Sequence, residues 1–155
     1  MNIVIERVSE ATAEVCDLIG ELNEVLGAVY EPHQRHGLAI DQLFEPHLRF
    51  FLARLDGRAT GCGGVALFAD FAEVKRMYTR PAARGRGLAK AILRRLEDEA
   101  RASGKSVLHL ETGGLQREAI GLYQGAGFTS CGPFGQYARM SAAQIETSLF
   151  FEKPL

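Results

Sequence analysis

The sequence predicts a mixed α/β fold in which a mainly antiparallel sheet carries helices on both faces. Three observations lead there. Residues 48–79 alternate apolar and polar positions over three strand-length segments separated by short turns, which reads as an antiparallel meander. From residue 87 the apolar spacing changes to i, i+3, i+4, i+7, the period of an amphipathic helix. Beyond it, residues 106–112, 116–126 and 148–155 read in turn as strand, helix and strand.

Each element has its own local warrant. Residues 2–8 alternate Ile3 and Ile5 with polar neighbours and read as a short strand. Ser9 offers an N-cap for a helix reaching about Val29, whose face Val15, Leu18, Ile19, Leu22, Val25, Leu26 and Val29 should be buried. Gly27, Pro32, Gly37 and Pro46 then break the chain into a loop with one short helix over 38–45. Asp56-Gly57 is a two-residue hairpin signal, and a turn is expected again at Ala69-Asp70. Gly61, Gly63 and Gly64 within a strand suggest a bulge or a close backbone approach. The helix over 87–103 presents Ala89, Ile92, Leu93, Leu96 and Ala100 on one face and closes at Gly104. The strands flanking it should be parallel neighbours joined by a crossover. A further strand starts at Gly127-Phe128.

Composition narrows the function classes. At 155 residues, 46% hydrophobic and 24% charged, the chain reads as one domain, 1–155, with ordinary globular chemistry. No segment approaches the roughly 20 apolar residues of a membrane helix, and the N-terminus lacks the layout of a signal peptide. Three cysteines at wide spacing, Cys16, Cys62 and Cys131, suggest free thiols in a reducing compartment, so a cytoplasmic location is expected. His33 and His36, three apart in a loop, make a weak metal motif, and no metal centre is expected. The formal net charge of -1 hides a polarity: Met1–His47 holds nine acids against two arginines, and Lys75–Lys105 holds ten Lys/Arg against three acids. Such a basic stretch in a nearly neutral chain draws a polyanion locally without making a general nucleic-acid binder.

The segment Thr79-Arg80-Pro81-Ala82-Ala83-Arg84-Gly85-Arg86-Gly87-Leu88-Ala89 joins a strand to a helix. Two glycines allow a sharp turn and close approach to a ligand. The unpaired N–H groups and positive dipole end of the helix suit a phosphate, with Arg84 and Arg86 as nearby donors. A P-loop would end in Gly-Lys-Ser/Thr, where this chain has Leu88-Ala89, and a dinucleotide fingerprint would need glycine at Lys90. A purely structural turn is the alternative reading.

With these residues the chain resembles the GNAT superfamily of N-acetyltransferases. Its Arg/Gln-x-x-Gly-x-Gly/Ala signature is met by Arg84, Gly87 and Ala89. Its Asn-x-x-Ala-x-x-Leu-Tyr-x-x-x-Gly-Phe block is met by Gln116, Ala119, Leu122, Tyr123, Gly127 and Phe128, with Gln116 replacing the usual asparagine. The resemblance covers roughly residues 48–128 and implies acetyl-CoA bound where the fourth and fifth strands splay apart. Its pyrophosphate would lie on the backbone of Arg84, Gly85, Arg86, Gly87, Leu88 and Ala89. Its pantetheine arm would follow Met77, Tyr78 and Thr79, with a further contact at Gln116.

The implied reaction is acetyl transfer to a primary amine by direct attack. A small-molecule acceptor is favoured over a protein amine, and a non-catalytic acyl-CoA-binding module is the other alternative. Tyr123 matches the family's tyrosine at the cofactor sulfur and would protonate the leaving thiolate, and a backbone N–H near Met77 would meet the oxyanion. Glu73 is the first candidate base, on the expectation that Glu73, Lys75 and Met77 share one strand face. Glu111, or a water chain, is the alternative. The acceptor is expected along Tyr30–Phe44, with Phe134 and Tyr137 able to close over it on a loop loosened by Gly132 and Gly135. Neither nucleic acid nor a membrane is an expected partner, and a homodimer is one assembly the resemblance allows.

Overall fold

The computed structural model describes residues 1–155. It contains strands β1 (Ile3–Val8), β2 (Leu48–Leu55), β3 (Arg58–Leu67), β4 (Ala72–Thr79), β5 (Val107–Gly113), β6 (Thr129–Cys131) and β7 (Ser148–Pro154). The helices are α1 (Ala13–Gly27), α2 (Leu88–Ala102), α3 (Arg117–Gly125) and α4 (Ala142–Ile145). One sheet runs in the order β1-β2-β3-β4-β5-β7-β6, antiparallel throughout except for the parallel β4–β5 pair. The predicted mixed fold is therefore the observed one.

Both faces of the sheet are covered, so the central strands bury both sets of side chains. On one face α2 sets Leu88, Ile92, Leu93, Leu96 and Ala100 against Phe51, Val65, Val74 and Leu108. On the other, α1 sets Val15, Leu18, Ile19 and Leu22 against Phe50, Leu52, Cys62 and Tyr78. At about 25 cal/mol per Å² of apolar surface, such burial is the dominant favourable term in the fold.

Local details depart from the sequence reading in physically simple ways. The chain needs Ser9–Thr12 to cross from the sheet onto its face, so α1 starts at Ala13, with Thr12 as the cap, its side chain accepting from Val15 N at 3.3 Å. Of the expected face, Val25 and Val29 are exposed. The segment expected as a helix over 38–45 is a short 3₁₀ turn, Ile40–Phe44, with Leu43 buried in the α1 core. On α2, Leu88 rather than Ala89 joins the core. The Asp56-Gly57 hairpin has both residues at positive φ, 50° and 85°, as a type I′ turn requires.

Two features of β4 shape the neighbouring site. It pairs with β5 only at Ala72–Leu108 and Glu73–His109, and beyond these the strands diverge into a wedge-shaped gap. A bulge also interrupts its pairing with β3, with Arg76 at φ 56° as the extra residue. Gly63 sits opposite, where a Cβ would lie 2.6 Å from Met77 Sδ and 2.7 Å from Ile92 Cγ2, so a larger residue would push these side chains aside. The bulge turns Met77 onto the α2 face with Val74. The expectation that Glu73, Lys75 and Met77 share a face is thus corrected: Glu73 and Lys75 face the opposite side.

Candidate functional site

The gap between β4 and β5 opens into a cleft of about 690 Å³, floored by β4 and walled by α3 and the start of α2. Met77, Tyr78, Thr79, Arg84, Gly85, Gly87, Leu88, Ala89, Gln116 and Tyr123 all line it. Arg86 occupies the same turn without lining the cleft. Exposed Val25 lines the cleft too, which accounts for its place outside the core.

The turn before α2 is built to leave backbone donors free. Gly85 and Gly87 both have positive φ, 79° and 83°, and Gly87 caps the helix without a side chain that could occupy its N–H groups. A phosphate at this end meets N–H donors and the positive end of a 15-residue helix dipole. Arg84 stands at the mouth, its Nε donating to Thr79 O at 3.2 Å and its Nη1 lying 3.5 Å from Glu118 at the start of α3.

A second, smaller chamber of about 130 Å³ adjoins the cleft, and Leu22, Met77, Gln116, Ala119 and Tyr123 line both. Its wall is polar and charged: Glu73, Lys75 and Arg76 from β4, Glu111 from β5, and Arg35 and His36 from the connection after α1. Tyr123 therefore stands between the two spaces. Its ring packs on Phe128 with centroids 5.8 Å apart. Burial, and then the Glu111 charge, hold its phenol above the usual range, so it remains protonated.

Glu73 and Lys75 are buried together, 3% and 6% exposed. The Lys75 ammonium donates to Glu73 Oε2 at 3.1 Å, and the Tyr137 hydroxyl donates to the same oxygen at 2.7 Å. Glu111 accepts from the Ser148 hydroxyl at 2.7 Å, while burial pushes its carboxyl above the ordinary range.

Only the first part of the Tyr30–Phe44 segment lines this chamber. Tyr30, Gln34, Arg35, His36 and Gly37 reach the chamber, whereas residues 38–44 do not. Phe134 and Tyr137 are not a loose flap. They are 8% and 1% exposed, locked by edge-on and tilted aromatic contacts with each other and with Phe71 and Phe150. Gly135 itself packs against Phe71, so the loop is pinned. His33 stays outside the chamber, and His36 Nε2 lies 2.8 Å from the Gln144 carbonyl. Sequence reasoning passed over Lys75, Arg76 and Arg35. For Lys75 and Arg76 the signal was charge on a strand with buried neighbours, whereas Arg35, in the connection after α1, carried no such signal.

Comparison with known proteins gives a consistent picture. Residues 14–128 match the acetyltransferase (GNAT) family. The chain is similar to an IAA acetyltransferase of Azospirillum brasilense, 43% identical over 99% of both chains. It is also similar to the N-acetyltransferase YsnE of Bacillus subtilis, 31% identical over 92% of this chain and 93% of that one. Among solved structures, a candidate acyl-CoA N-acyltransferase from Klebsiella pneumoniae superposes with a TM-score of 0.79 at 31% identity, covering 99% of this chain and 97% of that one. The PaiA N-acetyltransferase of Thermoplasma acidophilum, solved with coenzyme A, shares the fold at a TM-score of 0.71 and 16% identity, over 100% of both chains.

Proposed function

The chain belongs to the acetyltransferase (GNAT) family and is an acyltransferase, and from that premise we propose that it moves acetyl from acetyl-CoA to the primary amine of a small molecule. One observation carries this reading: an elongated cleft ending at an uncapped helix meets a small charged chamber, and Tyr123 stands at the junction. The cleft suits the coenzyme arm, with its diphosphate on the N–H groups around Gly87, while the chamber suits an amine. The coenzyme A in the PaiA structure and the name of the Azospirillum relative support an acetyl donor.

Transfer is direct in this proposal. None of the three cysteines lines either space, and burial pushes the Cys62 thiol up to about 12, so no thiol is placed to carry an acyl group. The amine nitrogen attacks the thioester carbonyl carbon while a chamber carboxylate takes its proton. The C–S bond then breaks, and the thiolate takes a proton from Tyr123. Glu73 is the proposed base, held in place through Oε2 by Lys75 and Tyr137. Glu111 is the second reading, favoured by its burial-raised carboxyl, since a base works best when its affinity for protons lies nearer the working pH. The three unpaired cysteines fit a reducing, cytoplasmic setting.

Thiol release from acetyl-CoA against a panel of primary amines tests the activity. Coenzyme A binding by calorimetry tests the cleft separately. Binding without turnover of any amine would leave an acyl-CoA-binding module and overturn the enzymatic proposal.

A further inference from the structure

Arg35 and Arg76 both line the acceptor chamber, one from the loop after α1 and the other from the bulge in β4. Neither guanidinium is paired with a carboxylate. Arg76 Nη2 has only the side-chain oxygen of Asn23 as an acceptor, and Arg35 has no hydrogen-bonded side-chain partner at all. The Nε–H groups of both are buried without an acceptor. Two other half-buried arginines are matched to carboxylates: Arg54 holds Glu6 and Glu14, and Arg80 holds Glu21.

Two unmatched guanidiniums beside one small chamber are costly unless something anionic joins them. Burial weakens proton binding at Arg76, opposed in part by Cys62 and reinforced by the nearby charge of Arg35. The other charges of the chamber do not supply one. Glu73 is engaged by Lys75 and Tyr137, and Glu111 accepts from Ser148. The bulge is also what sets Arg76 here, with a non-glycine residue at φ 56°, a conformation that ordinary side chains rarely adopt.

We infer that Arg35 and Arg76 form a carboxylate-binding subsite within the chamber, and that the acceptor is an amino carboxylate of amino-acid size. The inference rests on the acetyl-transfer reading above and narrows it. Arginine forks match carboxylate oxygens in pairs. A bound carboxylate would supply the missing acceptors while the amine points toward Glu73, Glu111 and the Tyr123 junction. The chamber's 130 Å³ holds about four waters at roughly 30 Å³ each, the scale of one small amino acid and not of a folded protein tail.

The test uses the full chain and acetyl-CoA with matched triples: a free amino acid, its amide and its decarboxylated amine, across the common side chains. For the preferred side chain, kcat/KM for the free amino acid should exceed that for either carboxylate-free analogue by roughly tenfold or more. In Arg35→Gln and Arg76→Gln that preference should collapse, through a raised KM for the amino acid. Coenzyme A affinity, read by calorimetry, should be retained as proof of folding, because neither arginine lines the coenzyme cleft. A protein that acetylates the amines and amides as well as the amino acids remains an acetyltransferase but loses the carboxylate subsite. Variants that bind coenzyme A and keep the amino-acid preference overturn the subsite equally. Failure to release thiol with any member of the panel overturns both readings.

Discussion

The Tyr137 hydroxyl donates to Glu73 Oε2 at 2.7 Å across 64 residues of sequence, tying the turn before α4 to the strand that floors the site. Lys75 closes the group, 3.1 Å from both the carboxylate and the hydroxyl. A buried ion pair of this kind adds little net stability, but it is expensive to break because the surviving charge is stranded. Lys75→Met should therefore destabilise the protein by about 3–5 kcal/mol in urea titration. The Glu73→Gln/Lys75→Met double variant should recover much of that loss. A single variant costing under about 1 kcal/mol would mean the pair behaves as if solvated.

In the proposed acid role Tyr123 faces the opposite demand, since its proton would have to be present and transferable. Burial and the Glu111 charge keep the phenol protonated well above neutral pH. No alkaline limb in the rate profile should then come from this residue below about pH 10, the ordinary tyrosine value. Tyr123→Phe should lower kcat by about a hundredfold or more while acetyl-CoA binding is kept. Full turnover in that variant would remove the acid role.

Local signals carried most of the fold and the proposed coenzyme cleft. The apolar stripe of α2, the Asp56-Gly57 turn and the Gly85/Gly87 turn each depend on residues close in sequence, so periodicity and glycine placement expose them. The smaller charged chamber was less legible because cross-strand packing sets it. The Arg76 bulge depends on Gly63, Met77 and Ile92, which come from three elements. Phe134 and Tyr137, flanked by glycines, read as a mobile loop, yet their partners Phe71 and Phe150 lie on distant segments and pack the loop down. Alternation along β4 failed at one residue, and that slip moved Met77 to the other face.

The ion pair between Arg84 and Glu118 crosses the mouth of the cleft with both partners solvated, 43% and 83% exposed. A coenzyme diphosphate bound as proposed would compete with Glu118 for the arginine. Exposed pairs are worth about 0.2–1 kcal/mol, so Glu118→Gln should tighten coenzyme A binding by roughly 1.4- to fivefold. The gain should shrink as salt screens the pair. Weakened binding in this variant would show that Glu118 supports the coenzyme instead of competing with it.

Glu111 combines a stability cost with a candidate chemical role. Burial raises its folded-state carboxyl above the ordinary value of about 4.3, opposed by the Ser148 hydroxyl and by the charges of His36 and Lys75. A raised folded value means the native state binds this proton more tightly than the unfolded chain. The corresponding stability is complete below the unfolded value and is lost as pH rises through the folded one. At neutral pH the ionised carboxylate is thus a burden, and Glu111→Gln should unfold at a higher urea concentration than the parent at pH 8. The two curves should converge toward pH 4, where the parent carboxyl regains its proton; a gap that stays constant with pH would contradict a burial-raised carboxyl. The same variant separates the two base assignments. If Glu73 takes the amine proton, Glu111→Gln stays active while becoming more stable. If Glu111 does, the variant gains stability, loses turnover and loses the acidic limb of kcat/KM, the trade expected when a site is held in an unfavourable state for its chemistry.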